Sequence, residues 1–284
     1  MKVFKNKGVK FLLLGIVTVI ILLSFWYCAN KALNTYRKVN RTYQQLTVLK
    51  EEQLAFKEET VINNSYLAEM MVQQQTCHLD SQPHHVLCIG NSITTHQPSD
   101  EIGWHSSHGM AASKLEFDYC HVLEKLMKQL NPETTITPVS LVSWERNFSI
   151  NIDSLLKEPC EGKDIIVIRI GENVVTSDIP KFEDALSELI NYCSQYTNNI
   201  VLTGEYWPDS EKELAIIKNA YHHHLKYVPI YWIWNLHKEE CCPKEGDTLY
   251  NTEGLPYTIT GNHIVTHPND KGMELIANSI YGAL

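Results

Sequence analysis

Residues 164–171, Asp-Ile-Ile-Val-Ile-Arg-Ile-Gly, constrain this chain more than any other stretch. Ile165 to Ile168 offers no polar face, so the segment reads as a strand buried on both sides. Such a strand belongs in the middle of a parallel sheet with helices over both faces. The rest of the chain supplies the other parts. Val86 to Ile89 reads as a short buried strand cut off by Gly90-Asn91-Ser92. Thr134 to Val142 alternates as a second strand, Asn199 to Thr203 forms a fourth, and the aromatic run Tyr227 to Trp234 a fifth. Helical spacing appears in Ala111–Leu130, Ile179–Tyr196, Asp209–Leu225 and Pro268–Tyr281, and a loop of roughly 30 residues precedes the last of these. Alternating strands and helices predict a three-layer α/β fold with about five parallel strands.

The predicted layout has three parts: a tail and membrane anchor over residues 1–30, a helical stalk or linker over 31–76, and the α/β domain over 77–284. Phe11 to Asn30 is a run of 20 residues without a charge. At 1.5 Å per residue it would cross a hydrocarbon core about 30 Å thick. Lys2, Lys5, Lys7 and Lys10 precede it, and Trp26 and Tyr27 fall where an interfacial aromatic belt would lie. No small-x-small cleavage site follows, so the reading is an uncleaved anchor rather than a removed signal peptide. The amino end is then cytoplasmic and the large domain extracytoplasmic. The stalk is polar, nearly free of Gly and Pro, and carries a loose apolar stripe suited to self-association as a short coiled coil. Residues 1–76 hold 10 Lys/Arg against 5 Asp/Glu, while 77–284 hold 14 against 28. A domain that acidic repels phosphate backbones, which argues against a nucleic-acid partner. The eight cysteines follow no metal-knuckle spacing. The adjacent pair Cys241-Cys242 can reach a disulfide partner.

Three short stretches fall at predicted strand ends or at the opening of the last helix. They are Gly90-Asn91-Ser92-Ile93-Thr94, Arg169-Ile170-Gly171-Glu172-Asn173-Val174, and Thr266-His267-Pro268-Asn269-Asp270-Lys271-Gly272-Met273. Ligand sites of open α/β sheets collect at those ends. A serine hydroxyl needs a base to take its proton, and His267 can serve Ser92. Pro268, read as the first helical residue, would fix the turn that aims His267 at the sheet. The Asn173 amide and the Ser92 backbone N–H can donate to a developing oxyanion.

These blocks resemble those of the SGNH (GDSL-type) hydrolase family. Gly90-Asn91-Ser92-Ile93 is similar to its nucleophile block, Gly171-Glu172-Asn173 to its oxyanion-asparagine block, and His267-Pro268-Asn269-Asp270-x-Gly to its histidine block. The match runs over about residues 84–284 in the family's order. The resemblance implies a flavodoxin-like sheet and a Ser-His ester hydrolase without cofactor or metal. Members commonly deacetylate carbohydrates, and some transfer acyl groups. Three departures stand out. Ile264 occupies the position where the family carries its triad Asp, so a backbone carbonyl, a distant acid such as Asp247 or Glu253, or nothing orients His267. Asn91 stands where many members have Asp. Ser143-Trp144-Glu145-Arg146-Asn147 falls where a glycine block is expected, with a backbone N–H near Glu145 as the candidate second oxyanion donor.

Asn91, Trp104, His105, Glu172 and His263 are candidate pocket residues, with Glu205-Tyr206-Trp207 as a further wall. His222-His223-His224 point in three directions on a helix and read as a solvated helix end rather than a metal site. The expected function is a membrane-anchored serine esterase removing acyl groups, chiefly acetyl, from an O-acylated carbohydrate. The alternatives are an O-acyltransferase on a surface polysaccharide and a catalytically silent glycan-binding domain.

Overall fold

The computed structural model describes Lys31, Leu79, Gln82 and residues 84–284. The anchor read over 11–30, the stalk read over 31–76 and the orientation they imply lie outside the described residues, apart from Lys31. No helix among the described residues is long and apolar enough to cross a membrane.

Five parallel strands form the sheet: β1 (His85–Gly90), β2 (Thr135–Ser140), β3 (Ile165–Ile168), β4 (Ile200–Thr203) and β5 (Lys226–Val228), in the order β2-β1-β3-β4-β5. The chain runs outward from β1 to β2, then crosses back to lay β3 on the other side of β1. The order therefore reverses between β1 and β3, which opens a crevice at their carboxyl ends. Ile89 pairs with Ile168 there, so the loops leaving both strands emerge side by side.

Among residues 84–284 seven α-helices accompany the strands: α1 (Tyr119–Met127), α2 (Val142–Arg146), α3 (Ile152–Cys160), α4 (Ile179–Cys193), α5 (Ser210–His222), α6 (Tyr231–Cys241) and α7 (Asp270–Ala283). The alternation along each strand divides the core in two. Leu87, Ile89, Ile166, Ile168 and Leu202 pack with Leu156, Phe182, Leu186, Leu189, Ile216 and Ile217 of α3, α4 and α5. Val86, Cys88, Val167 and Val201 point the opposite way, against Tyr119, Leu123, Ile233, Met273 and Ile276 of α1, α6 and α7. These are the three layers expected of such a fold.

Four local expectations are corrected. Of the aromatic run Tyr227 to Trp234 read as a fifth strand, only Tyr227 and Val228 join the sheet, within Lys226–Val228, and Tyr231 to Trp234 opens α6 instead. Over four residues an apolar aromatic run fits either period, and packing of Ile233 beneath the sheet selects the helix. Helices α2 and α3 fall between the predicted second and third strands. The first is one turn long, and Pro159 interrupts the pattern of the second. Inside the expected 30-residue loop, β6 (Thr248–Tyr250) and β7 (Pro256–Thr258) make an antiparallel hairpin. Beneath it Trp104, Met110, Ala111, Leu249, Ile259 and Ile264 form a third apolar cluster. Finally, Cys88, Cys120, Cys160, Cys193, Cys241 and Cys242 are all free thiols, so no disulfide leaves the Cys241-Cys242 pair toward a described cysteine.

Candidate active site

Ser92 stands two residues past β1, on the crevice side. Gly90 makes that turn feasible. A Cβ there would sit 1.8 Å from Thr94 Oγ1 and 3.0 Å from the Arg169 carbonyl oxygen, so no side chain fits. The Thr94 and Thr95 N–H groups both donate to the Asn91 carbonyl, at 2.9 and 3.0 Å, which curls the chain under Ser92.

His267 arrives from the far end of the chain. Its Nε2 lies 3.0 Å from Ser92 Oγ, and its Nδ1 lies 2.8 Å from the main-chain carbonyl of His263. A carbonyl oxygen only accepts, so Nδ1 carries the ring proton and Nε2 presents its lone pair to the serine hydroxyl. Burial lowers the His267 pKa to about 4, with His96 and Arg169 acting in the same direction and the His263 carbonyl opposing them. Trp207 packs edge-to-face on the imidazole at 5.0 Å, and its indole N–H donates to the Thr266 carbonyl at 3.0 Å.

Among the described residues no carboxylate bonds the His267 ring, and its Nδ1 partner is the His263 carbonyl. The Ile264 side chain is fully buried in the third apolar cluster. The turn from Gly261 to His267, closed by the His267 N–H donating to the Ile264 carbonyl at 3.0 Å, swings the His263 carbonyl beneath the ring instead. Asp247 accepts from Lys244 N–H within its own turn, at 2.8 Å.

The segment that carries His267 is held from behind. Pro268 is not the first helical residue: α7 begins at Asp270, and Asn269 caps it by accepting from the Lys271 and Gly272 N–H groups. The Asn269 amide also donates to the Glu240 carbonyl at 2.9 Å, tying the start of α7 to the end of α6. Gly272 permits that approach, since a Cβ there would lie 2.9 Å from the Cys241 carbonyl oxygen.

Beneath Ser92 lies a buried polar layer. Arg169, fully buried at the end of β3, donates to Glu172 and to Asn91 Oδ1. The Asn91 amide donates to Glu145 Oε1 at 3.1 Å and to Glu172 Oε2 at 2.6 Å. Burial disfavours the Glu172 carboxylate, yet Arg169 and the Asn91 amide hold its carboxyl below the usual range. Glu205 sits 3.0 Å from Lys212 Nζ, but burial and the nearby Glu172 outweigh that cation and push its carboxyl up to about 9.

Several candidate residues take other places. Asn91 and the Glu172 carboxylate face inward and are saturated by protein partners, so they belong to the floor and not to a pocket wall. Trp104 is fully buried, its indole donating to the His96 carbonyl at 3.0 Å. His105 packs on Tyr257 of the hairpin at 4.8 Å. His263 enters through its main chain alone. The Glu145 backbone N–H donates to the Leu141 carbonyl at 3.0 Å because residues 142–146 are helical, so it is not an oxyanion donor. His223 bonds Ser187 Oγ at 2.7 Å at the end of α5. Sequence alone assigned Arg169 no role. The available signal was a lone Arg in a strand with no polar face, three residues before a Glu.

A doubly wound α/β protein with a serine–imidazole pair in its switch-point crevice is thus the class that fold and site define. No family model matches the chain, and no curated protein matches it. Among solved structures it is similar to a catalytic mutant of Axe2, an acetylxylan esterase from Geobacillus stearothermophilus. Identity is 14%, covering 73% of this chain and 96% of that one, with a TM-score of 0.47. It is also similar to the esterase EstA from Pseudoalteromonas sp., at 13% identity over 70% of this chain and 96% of that one, with a TM-score of 0.45.

Proposed function

We propose that this chain is a serine esterase that removes acyl groups, acetyl above all, from an O-acylated carbohydrate. The observation that carries the reading is the relay from Ser92 Oγ through His267 to the His263 carbonyl, with contacts of 3.0 and 2.8 Å. Ser92 Oγ attacks the ester carbonyl carbon as its proton passes to His267 Nε2. Asn173 and the Ser92 backbone N–H hold the oxyanion. The tetrahedral adduct collapses, the C–O bond to the sugar breaks, and His267 returns the proton to the leaving alkoxide. Water repeats the sequence on the acyl-serine and releases the acid.

A triad carboxylate has two duties: it fixes the imidazole tautomer and stabilises the imidazolium. The His263 carbonyl performs the first fully and the second only through its dipole. A working but unhurried hydrolase follows. The carbohydrate substrate rests on the resemblance of the three sequence blocks. Residues 11–30 are proposed to anchor the protein in a membrane with the catalytic domain on the extracytoplasmic side.

The test is hydrolysis of p-nitrophenyl acetate by the full-length chain in detergent, beside Ser92→Ala and His267→Ala. Loss of activity in both variants supports the relay. Wild-type turnover equal to that of Ser92→Ala would remove the esterase reading.

A further inference from the structure

Glu145 is buried at the crevice floor, and its side chain collects three donors from two different loops. Oε1 accepts from the Gly171 backbone N–H at 2.5 Å and from Asn91 Nδ2 at 3.1 Å, and Oε2 accepts from Asn173 Nδ2 at 2.8 Å. Its neighbour Arg146 donates from Nη2 to Asn173 Oδ1 at 3.1 Å. The Asn173 carboxamide is thereby held at both ends, which fixes its rotamer and leaves one Nδ2–H uncommitted. The same carboxylate ties the loop after β1, which carries Ser92, to the loop after β3, which carries Asn173.

We infer that Glu145 is the positioning residue of the oxyanion hole, acting through Asn173, with Arg146 as the second jaw of the clamp. The inference rests on the oxyanion role proposed above for Asn173. A donor aimed at developing charge accelerates the reaction only if it need not reorganise as the charge forms. A free asparagine side chain would sample several rotamers and could present its carbonyl instead. A carboxylate suits the clamp because it is acceptor-only and can meet all three donors. In Glu145→Gln, the single amide oxygen would stay with Gly171 and Asn91, where two donors converge. The new NH2 would then face Asn173 Nδ2, donor against donor, and eject the asparagine from its pose. Glu145→Asp, one methylene shorter, cannot span both loops.

The experiment is a double-mutant cycle with p-nitrophenyl acetate on the full-length chain: wild type, Glu145→Gln, Asn173→Ala and the double variant. If Glu145 acts through Asn173, Glu145→Gln lowers kcat about 10- to 100-fold with KM nearly constant, and Asn173→Ala lowers it about 100- to 1000-fold. The double variant is then no slower than Asn173→Ala, because the clamp has nothing left to hold. A Glu145→Gln enzyme within two-fold of wild type overturns the inference. So does an equal fold-loss in both backgrounds, the pattern of a residue that acts independently of Asn173.

Two further arms cover a poorly folded Glu145→Gln. Arg146→Ala alters an exposed residue and should lower kcat several-fold in the wild-type background but not beside Asn173→Ala. In the unmutated protein, 15N-asparagine spectra should show one Asn173 Nδ2–H protected from solvent exchange and its twin exchanging. Two equally fast protons would refute the clamp. This last arm needs no turnover, so a protein that cleaves no ester fails the esterase reading while its spectra still decide for or against the clamp.

Discussion

At the scale of residues, the site joins a low-pKa base to a carboxylate that resists ionisation. His267 works as a base only when neutral, and burial lowers its pKa to about 4, so its protonation should cost activity only in distinctly acidic solution. Glu145 behaves in the opposite way. Burial and the charge of Glu172 push its carboxyl up to about 7 against the Gly171, Asn91 and Asn173 donors, with Arg169 and Arg146 the cations nearby. A protonated Glu145 would lose an acceptor for Asn173. The kcat profile should therefore fall twice toward acid, near pH 7 and again near pH 4, and Glu145→Gln should lack the upper step. A stopped assay across pH 3.5–9 reads both. Ile264→Asp tests the missing carboxylate. Because that side chain is buried in the cluster of Trp104, Met110 and Leu249, the variant should gain no activity and lose about 3 kcal/mol or more of stability in urea titration. A rise in kcat would show that the turn can rotate to deliver a carboxylate to the imidazole.

Among the elements, α7 matters most, since its first turn aims His267. Asn269 caps that turn and bridges to α6. Asn269→Ala should cost about 1 kcal/mol for the cap, and activity should drop further than that loss alone would produce. In Gly272→Ala the new Cβ would lie 2.7 Å from Pro268 Cβ and 2.9 Å from the Cys241 carbonyl oxygen. Overpacking of that kind costs about 1–3 kcal/mol and shifts the helix start. Denaturation and kcat measured together check it: loss of stability with unchanged kcat would mean the displacement is absorbed away from His267. The hairpin of β6 and β7 acts at the same scale. It covers the cluster in which Ile264 is anchored, and so determines which main-chain carbonyl lies under the imidazole.

Across the whole molecule, buried acids govern how stability responds to pH. Burial is the leading cause that raises Glu145 and Glu213 to about 7 and Glu205 to about 9. Between an ordinary carboxyl pKa near 4.5 and those values, the folded state holds protons that the unfolded state has lost. The unfolding free energy therefore decreases as pH rises through that window. His267 works oppositely: its lowered pKa removes stability as pH falls from about 6.5 to 4, and His108 and His223, lowered by burial, act the same way, while His121, raised by its bond to Asp118, opposes them. Glu172, held low by Arg169, adds stability that disappears only on deeper acidification. The thermal midpoint should be highest near pH 5 and decline steadily toward pH 9. A midpoint that rises from pH 5 to pH 9 would mean that these carboxylates are ionised and compensated in the fold.

Much of this was legible in the chain, and the limits have a physical cause. Ile165–Ile168, Val86–Ile89 and Ile200–Thr203 announce buried parallel strands because burial on both faces is written in local composition. Gly90-Asn91-Ser92 announces a tight turn because backbone sterics act over two or three residues. The pairing of Ser92 with His267 followed from motif order, and the structure brings them to 3.0 Å. Tertiary structure alone decided the rest. Tyr231 to Trp234 became helix because of what Ile233 packs against, and Trp104 left the pocket for an apolar cluster that gathers residues from Trp104 to Ile264. The partner of His267 is a main-chain carbonyl, a group every residue carries and no sequence distinguishes. Glu145 moved from supplying a backbone donor to supplying a side-chain acceptor, because a single helical turn consumed its N–H and turned its carboxylate toward loops distant in the chain. Local sequence specifies periodicity and turns, whereas hydrogen-bond partners depend on which distant backbone arrives.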